Sequence, residues 1–346
     1  MITVKYFLFF LISIFVIFLL RFLLIKKNLL LDNFKFSEHK NITNQKKFIL
    51  GPPLCGGLAV FSVFLFDSNF IYLNLFVFFT LIVGILSDAN ILKSAKFRVF
   101  LQILIVLPFV VFFDLRVLDL RWVHINNLLQ IYYVSIFFSS FCILILINGT
   151  NFIDGLNTLV LGYYIIVTTI LIFLASKFNL FLDEKIFLFL TILIALFVFN
   201  FNQKIFLGDS GSYIIALVMS FFILNFITYN EIVSPFFICL LLWYPAFENL
   251  FSILRRSFFN QKSSLADRLH LHHFLFFYVS KRYKLNSKAS NTLCGLIINL
   301  FNLLILITSF NYYSITKVLV FLLLFSILVY LVLYCLLRNF YYSKVD

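Results

Sequence analysis

The sequence predicts an all-α integral membrane protein, and its composition and apolar runs carry that prediction. Of its 346 residues, 63% are hydrophobic and only 12% are charged, and the mean hydropathy is +1.07. Soluble domains average about 45–50% apolar and about 25% charged residues. Lipid must therefore surround most of the chain, and we expect one polytopic domain over residues 1–346.

Eleven apolar runs are candidates for membrane spans. A hydrocarbon core about 30 Å thick needs about 20 apolar residues in a helix. The first run ends in Lys26 and Lys27 without a small-residue cleavage site, which favours a span over a removable signal peptide. The second and seventh runs are short. The predicted spans are 5–25, 54–67, 70–87, 97–113, 131–148, 158–175, 186–200, 211–229, 235–254, 291–309 and 316–337.

The distribution of basic residues predicts the orientation of these spans. With the N-terminus outside, 21 of the 27 Lys and Arg residues fall on the inner loops and the C-terminal tail. Inner loops of membrane proteins collect Lys and Arg, so we expect the N-terminus outside and the C-terminus in the cytoplasm. The net charge of +13 then reflects orientation, and no nucleic-acid partner is predicted.

Five polar stretches interrupt the apolar sequence, and all five fall on the inner side of this topology. We therefore expect catalytic loops on the cytoplasmic side, at about 87–97, 148–157, 200–212 and 255–290. The polar stretches are 51–57, 87–96, 148–157, 207–212 and 267–273.

Three aspartates, Asp88, Asp154 and Asp209, each stand at the inner end of a predicted span. One such carboxylate could be a helix cap or a topology marker. Three carboxylates on one face favour a functional site, because a charged side chain at the membrane edge is costly. Oxygen ligands suit Mg²⁺, which binds one or two carboxylates together with substrate phosphates. Asn151 and Asn157 add amide oxygens around Asp154.

A basic loop places His270, His272 and His273 within four residues, close to Arg268. This cluster could bind a metal, grip a diphosphate or be a surface loop. No cysteine or further histidine stands at zinc spacing, which disfavours the metal. We favour a phosphate site in which imidazole and guanidinium groups donate hydrogen bonds.

Three other stretches have a structural and a functional interpretation of comparable weight. Lys96, with Arg98 and Gln102, could hold a lipid phosphate at the interface or only anchor a helix by snorkelling. The Gly/Ser residues of 208–212 open a span and could offer backbone amides to an anion. The segment 51–57 is a turn or a substrate contact.

Four of these stretches match motifs of one family in order and spacing. Segment 151–157 (NFIDGLN) is similar to NxxDGxD, 206–212 (FLGDSGS) to FLGDxGS, 270–273 (HLHH) to HxHH, and 84–88 (GILSD) to GxxDD. Between about residues 51 and 273 the chain thus resembles the polyprenyl-phosphate N-acetylhexosamine-1-phosphate transferases. This family includes the enzymes that start O-antigen and teichoic acid glycans, and the phospho-MurNAc-pentapeptide transferases. Ser87 and Asn157 depart from it, since each stands where the family usually has an acid.

The resemblance implies a function and a set of site residues. Asp209 would bind Mg²⁺, or Mn²⁺ in its place, and Asn151 and Asp154 would line the nucleotide and metal site. Asp88 would bind or deprotonate the lipid phosphate, and the three histidines would contact the nucleotide-sugar diphosphate. The reaction would move an N-acetylhexosamine-1-phosphate from a UDP-sugar to polyprenyl phosphate and release UMP.

The setting implied by the resemblance is a bacterial inner membrane. The chain would span it several times, with lipid bilayer, polyprenyl phosphate and UDP-sugar as its partners and the active site facing the cytoplasm. The step would initiate synthesis of a cell-envelope polysaccharide. The oligomeric state stays open, a homodimer being one option.

Two alternatives remain beside this interpretation. A transporter or a non-catalytic membrane protein would place polar residues near mid-bilayer. Glu248 is the acid that lies inside a predicted span, next to a kink expected at Pro245, and it is the best evidence for that class. A muropeptide-specific transferase is the alternative within the enzyme class, and the spaced histidine pattern argues against it.

Overall fold

A computed structural model describes residues 2–32, 51–66, 71–258 and 269–345 of the chain. These ranges are almost entirely helical and contain isolated β-bridges but no strand. The predicted all-α architecture is thus confirmed. The helices in the described ranges are α1 (Ile2–Lys27), α2 (Gly56–Phe64), α3 (Ile71–Asp88), α4 (Ala95–Phe113), α5 (Val123–Leu129), α6 (Tyr132–Ile153), α7 (Leu159–Phe178), α8 (Lys185–Phe201), α9 (Gly208–Tyr229), α10 (Pro235–Leu241), α11 (Trp243–Phe258), α12 (Leu271–Tyr283), α13 (Ser287–Ser309) and α14 (Thr316–Val345).

Eight of the described helices are long and apolar enough to cross a membrane, or nine if the bent pair α10 and α11 forms one span. The eleven predicted spans exceed this number because α2 has nine residues and α8 has 17. At about 1.5 Å per residue α2 reaches only about 14 Å, less than half of the hydrocarbon core. The prediction that 54–67 crosses the membrane is therefore wrong for the helix described there.

Two long-range hydrogen bonds mark the two ends of the helix bundle. At one end, Arg21 near the end of α1 donates to the Lys204 carbonyl that follows α8. At the other end, Arg121 after α4 donates to the Glu231 carbonyl after α9. The N-terminus of α1 lies at the second end, and the last turns of α14 lie at the first. The two chain ends thus lie at opposite ends of the bundle, as predicted, while the assignment of one end to the cytoplasm stays a prediction.

The predicted kink near Pro245 is present as a 75° bend between α10 and α11. Proline has no backbone N–H, so Pro245 cannot donate to the carbonyl of Leu241, four residues before it. The Tyr163 hydroxyl of α7 donates to that carbonyl instead, at 2.6 Å. In lipid an unsatisfied carbonyl would cost several kcal/mol, so this tyrosine makes the bend tolerable.

Helix α9 is the most buried of the candidate spans, and it packs on α2, α3 and α6. Small residues permit close backbone contact there. A Cβ on Gly84 of α3 would lie 2.2 Å from the Cα of Ser210 in α9. This contact brings the last turn of α3 against the first turn of α9, where the polar stretches meet.

Candidate active site

Asp209 stands in the first turn of α9 and receives hydrogen bonds from three other helices. Its Oδ1 accepts from the Asn151 side-chain amide at 2.7 Å. Its Oδ2 accepts from Ser87 at 2.5 Å and from Arg98 at 2.9 Å. Arg98 also donates to the Ser87 hydroxyl at 2.8 Å. The side chains of Arg98 and Asp209 are 27% and 26% exposed, so the ion pair lies at the surface of the bundle's first end.

Asp88, the last residue of α3, caps the N-terminus of α9. Its carboxylate accepts from the backbone N–H of Asp209 at 2.8 Å and of Ser210 at 3.1 Å, and from the Ser210 hydroxyl at 2.7 Å. A carboxylate is favourable there because the first N–H groups of a helix have no internal partner. Gly208 permits the contact. Its φ is +76°, and a Cβ on it would lie 2.9 Å from both oxygens of Asp88.

The cation that reaches Asp209 is Arg98, one of the three residues (Lys96, Arg98 and Gln102) that the sequence offered as a lipid-phosphate contact. Lys96 is exposed and forms no hydrogen bond or ion pair with another side chain in the described ranges. Residues two apart on a helix point about 200° away from each other, so only one of the two can face α9. The sequence carried a signal, since the polar Gln102 follows Arg98 by one helical turn and so shares its face. In the structure Gln102 is buried, and its Oε1 accepts from Asn148 at 2.8 Å.

The end of α6 joins the Asp209 group to the histidines. Asn151 bonds to Asp209, and the next residue, Phe152, lies with its ring centroid 5.6 Å from that of His270. A Cβ on Gly155 would lie 2.3 Å from Nε2 of His272. The half-buried Asp154 directly follows the last residue of α6 and lies between Phe152 and Gly155 in the sequence. The two polar clusters are therefore neighbours at the end of α6.

The histidines form a stacked group at the start of α12. The rings of His270 and His272 are nearly parallel, with centroids 5.4 Å apart, and those of His272 and His273 are 4.2 Å apart. Nδ1 of His270 lies 2.8 Å from Oε1 of Glu248 in α11. The predicted partner Arg268 lies outside the described residues.

Asn157 does not join the contacts around Asp209. Its backbone N–H donates to Oδ1 of Asn291 at 2.7 Å, and a Cβ on Gly295 would lie 2.4 Å from its carbonyl oxygen. The turn after α6 is thus held against α13. The segment 51–57 is likewise a packing element, since Cys55 donates to the Phe206 carbonyl and Phe206 to the Pro53 carbonyl. Its interpretation as a turn fits these contacts better than a substrate contact.

The oxygens around Asp209 do not form a preformed metal site, because both Asp209 oxygens already accept hydrogen bonds from Asn151, Ser87 and Arg98; a magnesium ion there would have to bring further ligands with it. In the described part of the chain, no group of three or more His, Cys, Asp or Glu side chains could hold a metal ion. Asp88 is occupied by the helix cap. That leaves the Asp209 carboxylate and the amide oxygen of Asn151, and Mg²⁺ commonly takes one or two protein oxygens and completes its shell with phosphates and water.

Comparisons with known proteins agree with the family that the motifs resemble. The model of glycosyl transferase family 4 matches residues 70–227. The chain is also 26% identical, over 242 residues, to a Bacillus subtilis (strain 168) protein named "Probable undecaprenyl-phosphate N-acetylglucosaminyl 1-phosphate transferase". The chain is thus similar to glycosyl transferase family 4 over residues 70–227. The alignment with the relative covers 64% of this chain and 64% of the relative, just under two thirds of its length.

The part matched by the glycosyl transferase family 4 model contains both acidic helix ends. It includes α3 with Asp88, α6 with Asn151, and all but the last residues of α9 with Asp209. It ends before the bend at Pro245, before Glu248 and before the histidine group. The contacts of Phe152 and Gly155 with the histidines are among those that join the later helices to the matched part, beside the hydrogen bonds of Asn157 with Asn291 and of Tyr163 with Leu241.

Proposed function

We propose that the chain transfers a sugar-1-phosphate from a UDP-sugar to a polyprenyl phosphate and releases UMP. The donor we propose is a UDP-N-acetylhexosamine, the carrier is undecaprenyl phosphate, and the product would begin a cell-envelope polysaccharide. This choice of substrates is supported by the name of the Bacillus relative, a probable undecaprenyl-phosphate N-acetylglucosaminyl 1-phosphate transferase.

One structural observation carries the proposal. Four helix ends converge on Asp209, and the last turn of α6 continues from that group to the histidines. A transfer between two phosphate-bearing substrates needs such a site, with cationic and hydrogen-bonding groups at one end of the helices where a lipid headgroup and a soluble nucleotide can meet. Arg98 and the histidines provide groups that can neutralise phosphate charge.

The reaction moves one phosphoryl group. An oxygen of the polyprenyl phosphate attacks the phosphorus bonded to the sugar, the bond from that phosphorus to the UMP oxygen breaks, and its electron pair leaves with UMP. A phosphate monoester is already anionic near neutral pH, so alignment and charge neutralisation are the main requirements. When bound at Asp209 and Asn151, Mg²⁺ would supply further neutralisation of the diphosphate.

We assign the side chains to two groups within this scheme. Arg98, oriented by Asp209 and Ser87, would bind a substrate phosphate, and the histidines would bind the nucleotide-sugar diphosphate beside Asp154. Asp88 would hold the start of α9 in place. Its deprotonation of the lipid phosphate remains a sequence-based prediction that the reaction does not require.

The bundle's first end would face the cytoplasm, where UDP-sugars are made, and the membrane would be the inner membrane. The transporter alternative loses its main support, because Glu248 is paired with His270 and Tyr330 next to the proposed site. The spaced histidines continue to argue against a muropeptide donor.

The test uses purified protein, undecaprenyl phosphate, Mg²⁺ and a panel of UDP-N-acetylhexosamines, with the Bacillus relative as the active control. We expect equal amounts of UMP and a sugar-diphospholipid with one donor, and loss of both on chelation. UMP without the lipid product would mean hydrolysis and would contradict the proposal. No product with any donor, from folded protein and with an active control, would refute it.

A further inference from the structure

Glu248 is a fully buried acid that the proposed reaction does not use. It lies in α11 with 0% of its side chain exposed, and its Oε1 lies 2.8 Å from Nδ1 of His270, whose side chain is 5% exposed. Its second oxygen, Oε2, accepts from the Tyr330 hydroxyl of α14 at 2.6 Å. Three helices therefore meet at one carboxylate. An acid without such partners would be costly at this depth.

The geometry determines which nitrogen of His270 carries a proton. A carboxylate accepts hydrogen bonds and does not donate them, so Oε1 of an ionised Glu248 requires a proton on Nδ1 of His270. The Ser252 hydroxyl, 3.3 Å from the same nitrogen, lies on the same side of the ring. With Nδ1 protonated, Nε2 is a donor in the charged ring and an acceptor in the neutral one. Carboxylates that orient a functional histidine in this way fix both its tautomer and its direction.

Arg255 is a charged group that contacts the residues around Glu248 and His270. Arg255, two helical turns along α11, donates to the Tyr334 hydroxyl at 2.8 Å and to the Leu269 carbonyl, directly before His270. Tyr330 and Tyr334 are one turn apart on α14, and their rings are stacked. Glu248 thus orients the ring of His270, while Arg255 holds the backbone that carries it.

We propose that Glu248 is a positioning residue that directs the Nε2 side of His270 toward the diphosphate of the nucleotide sugar. This inference rests on the proposed function for the identity of the ligand. The pairing of Glu248 with His270 does not depend on it. The carboxylate touches no substrate and acts through the imidazole.

The experiment joins kinetics to a spectrum that needs no turnover. The chain contains five histidines, so ¹⁵N-histidine labelling gives few signals, and His270→Asn identifies that of His270. In Glu248→Gln we expect the Nδ1 signal of His270 to move. We also expect kcat/KM for the UDP-sugar to fall about 10- to 100-fold, as for one hydrogen bond to a charged group. The KM for the lipid phosphate should stay within twofold. Glu248→Asp should recover part of the loss.

Tyr163→Phe is the matched control, because it removes a buried tyrosine hydrogen bond that does not involve Glu248. It should lower thermal stability while leaving the His270 signal and the KM for the UDP-sugar unchanged. A double variant of Glu248→Gln and His270→Asn should be no less active than His270→Asn alone, since both changes act on one group.

The outcomes separate this inference from the proposed function. An active wild type with an unchanged His270 signal in Glu248→Gln would overturn the inference, and so would a moved signal with unchanged kinetics. An inactive wild type whose His270 signal moves in Glu248→Gln would refute the proposed function while supporting the pairing of Glu248 with His270.

Discussion

Replacement of Asp209 by Asn tests the centre of the proposed site, and its effect on stability should be moderate. The amide keeps the size of the carboxylate but loses the charge that pairs with Arg98 at 2.9 Å. Exposed ion pairs are worth about 0–1 kcal/mol, and breaking buried ones costs about 3–5 kcal/mol. This pair is about a quarter exposed, so we expect the free energy of unfolding to fall by about 1–3 kcal/mol.

The effect on catalysis should be much larger. Asp209→Asn removes the anchor of Arg98, which is also the carboxylate that Ser87 and Asn151 contact. Loss of one preorganised electrostatic contact typically lowers kcat about 100- to 1,000-fold, and we expect at least that reduction. The assay is UMP release with detection of the lipid product, and the thermal unfolding curve in detergent shows how much protein is folded.

Asp119→Asn is the matched control at the opposite end of the bundle, where Asp119 pairs with Arg121 at 3.3 Å. It should leave kcat unchanged. Retention of more than a tenth of the wild-type kcat by folded Asp209→Asn would refute the central role of this carboxylate. An equal loss in Asp119→Asn would show that the assay responds to general damage.

Substitutions at two further positions, Arg98 and Gly84, test the contacts around Asp209 and the start of α9. Arg98→Lys should keep kcat within about tenfold of the wild type, because a single nitrogen of Arg98 makes both the Ser87 and the Asp209 contacts and an ammonium group can supply such donors. Arg98→Ala should lose at least about 100-fold, and equal activities of the two variants would contradict a role for the charge. Gly84→Ala should lower the free energy of unfolding by about 1–3 kcal/mol, because its Cβ would lie 2.2 Å from the Cα of Ser210. An unchanged unfolding temperature in detergent would contradict that close contact.

The sequence predicted the membrane architecture well and the number of spans less well. Composition and apolar runs suffice to identify helices in lipid, because each helix must satisfy its own backbone groups there. They do not reveal where a helix stops inside the bundle. The run at 54–67 is apolar enough for a span, but its helix ends at Phe64 after nine residues. Apolar residues that pack on α9 and residues that face lipid have the same hydropathy.

Within the site, motif order predicted which segments meet but not which side chains touch. Asn151 and Asp209 came together as expected, while the choice between Lys96 and Arg98 depended on the face of α4 that turns toward α9. The contact between Glu248 and His270 was beyond reach for another reason. The two residues lie 22 positions apart on separate helices, and no spacing rule relates them. Glu248 inside an apolar stretch signalled only that some partner must exist.

The tyrosine that satisfies the bend has a consequence for how this chain can change over evolutionary time. Tyr163 and Pro245 lie on different helices and solve one problem together, since the proline leaves the Leu241 carbonyl without its usual donor and the tyrosine supplies one. A lineage that lost Pro245 would regain the backbone donor, and position 163 could then drift to phenylalanine. A lineage that lost Tyr163 first would carry an unsatisfied carbonyl in lipid. Substitutions at the two positions should therefore be inherited in one order, with the proline leaving before the tyrosine.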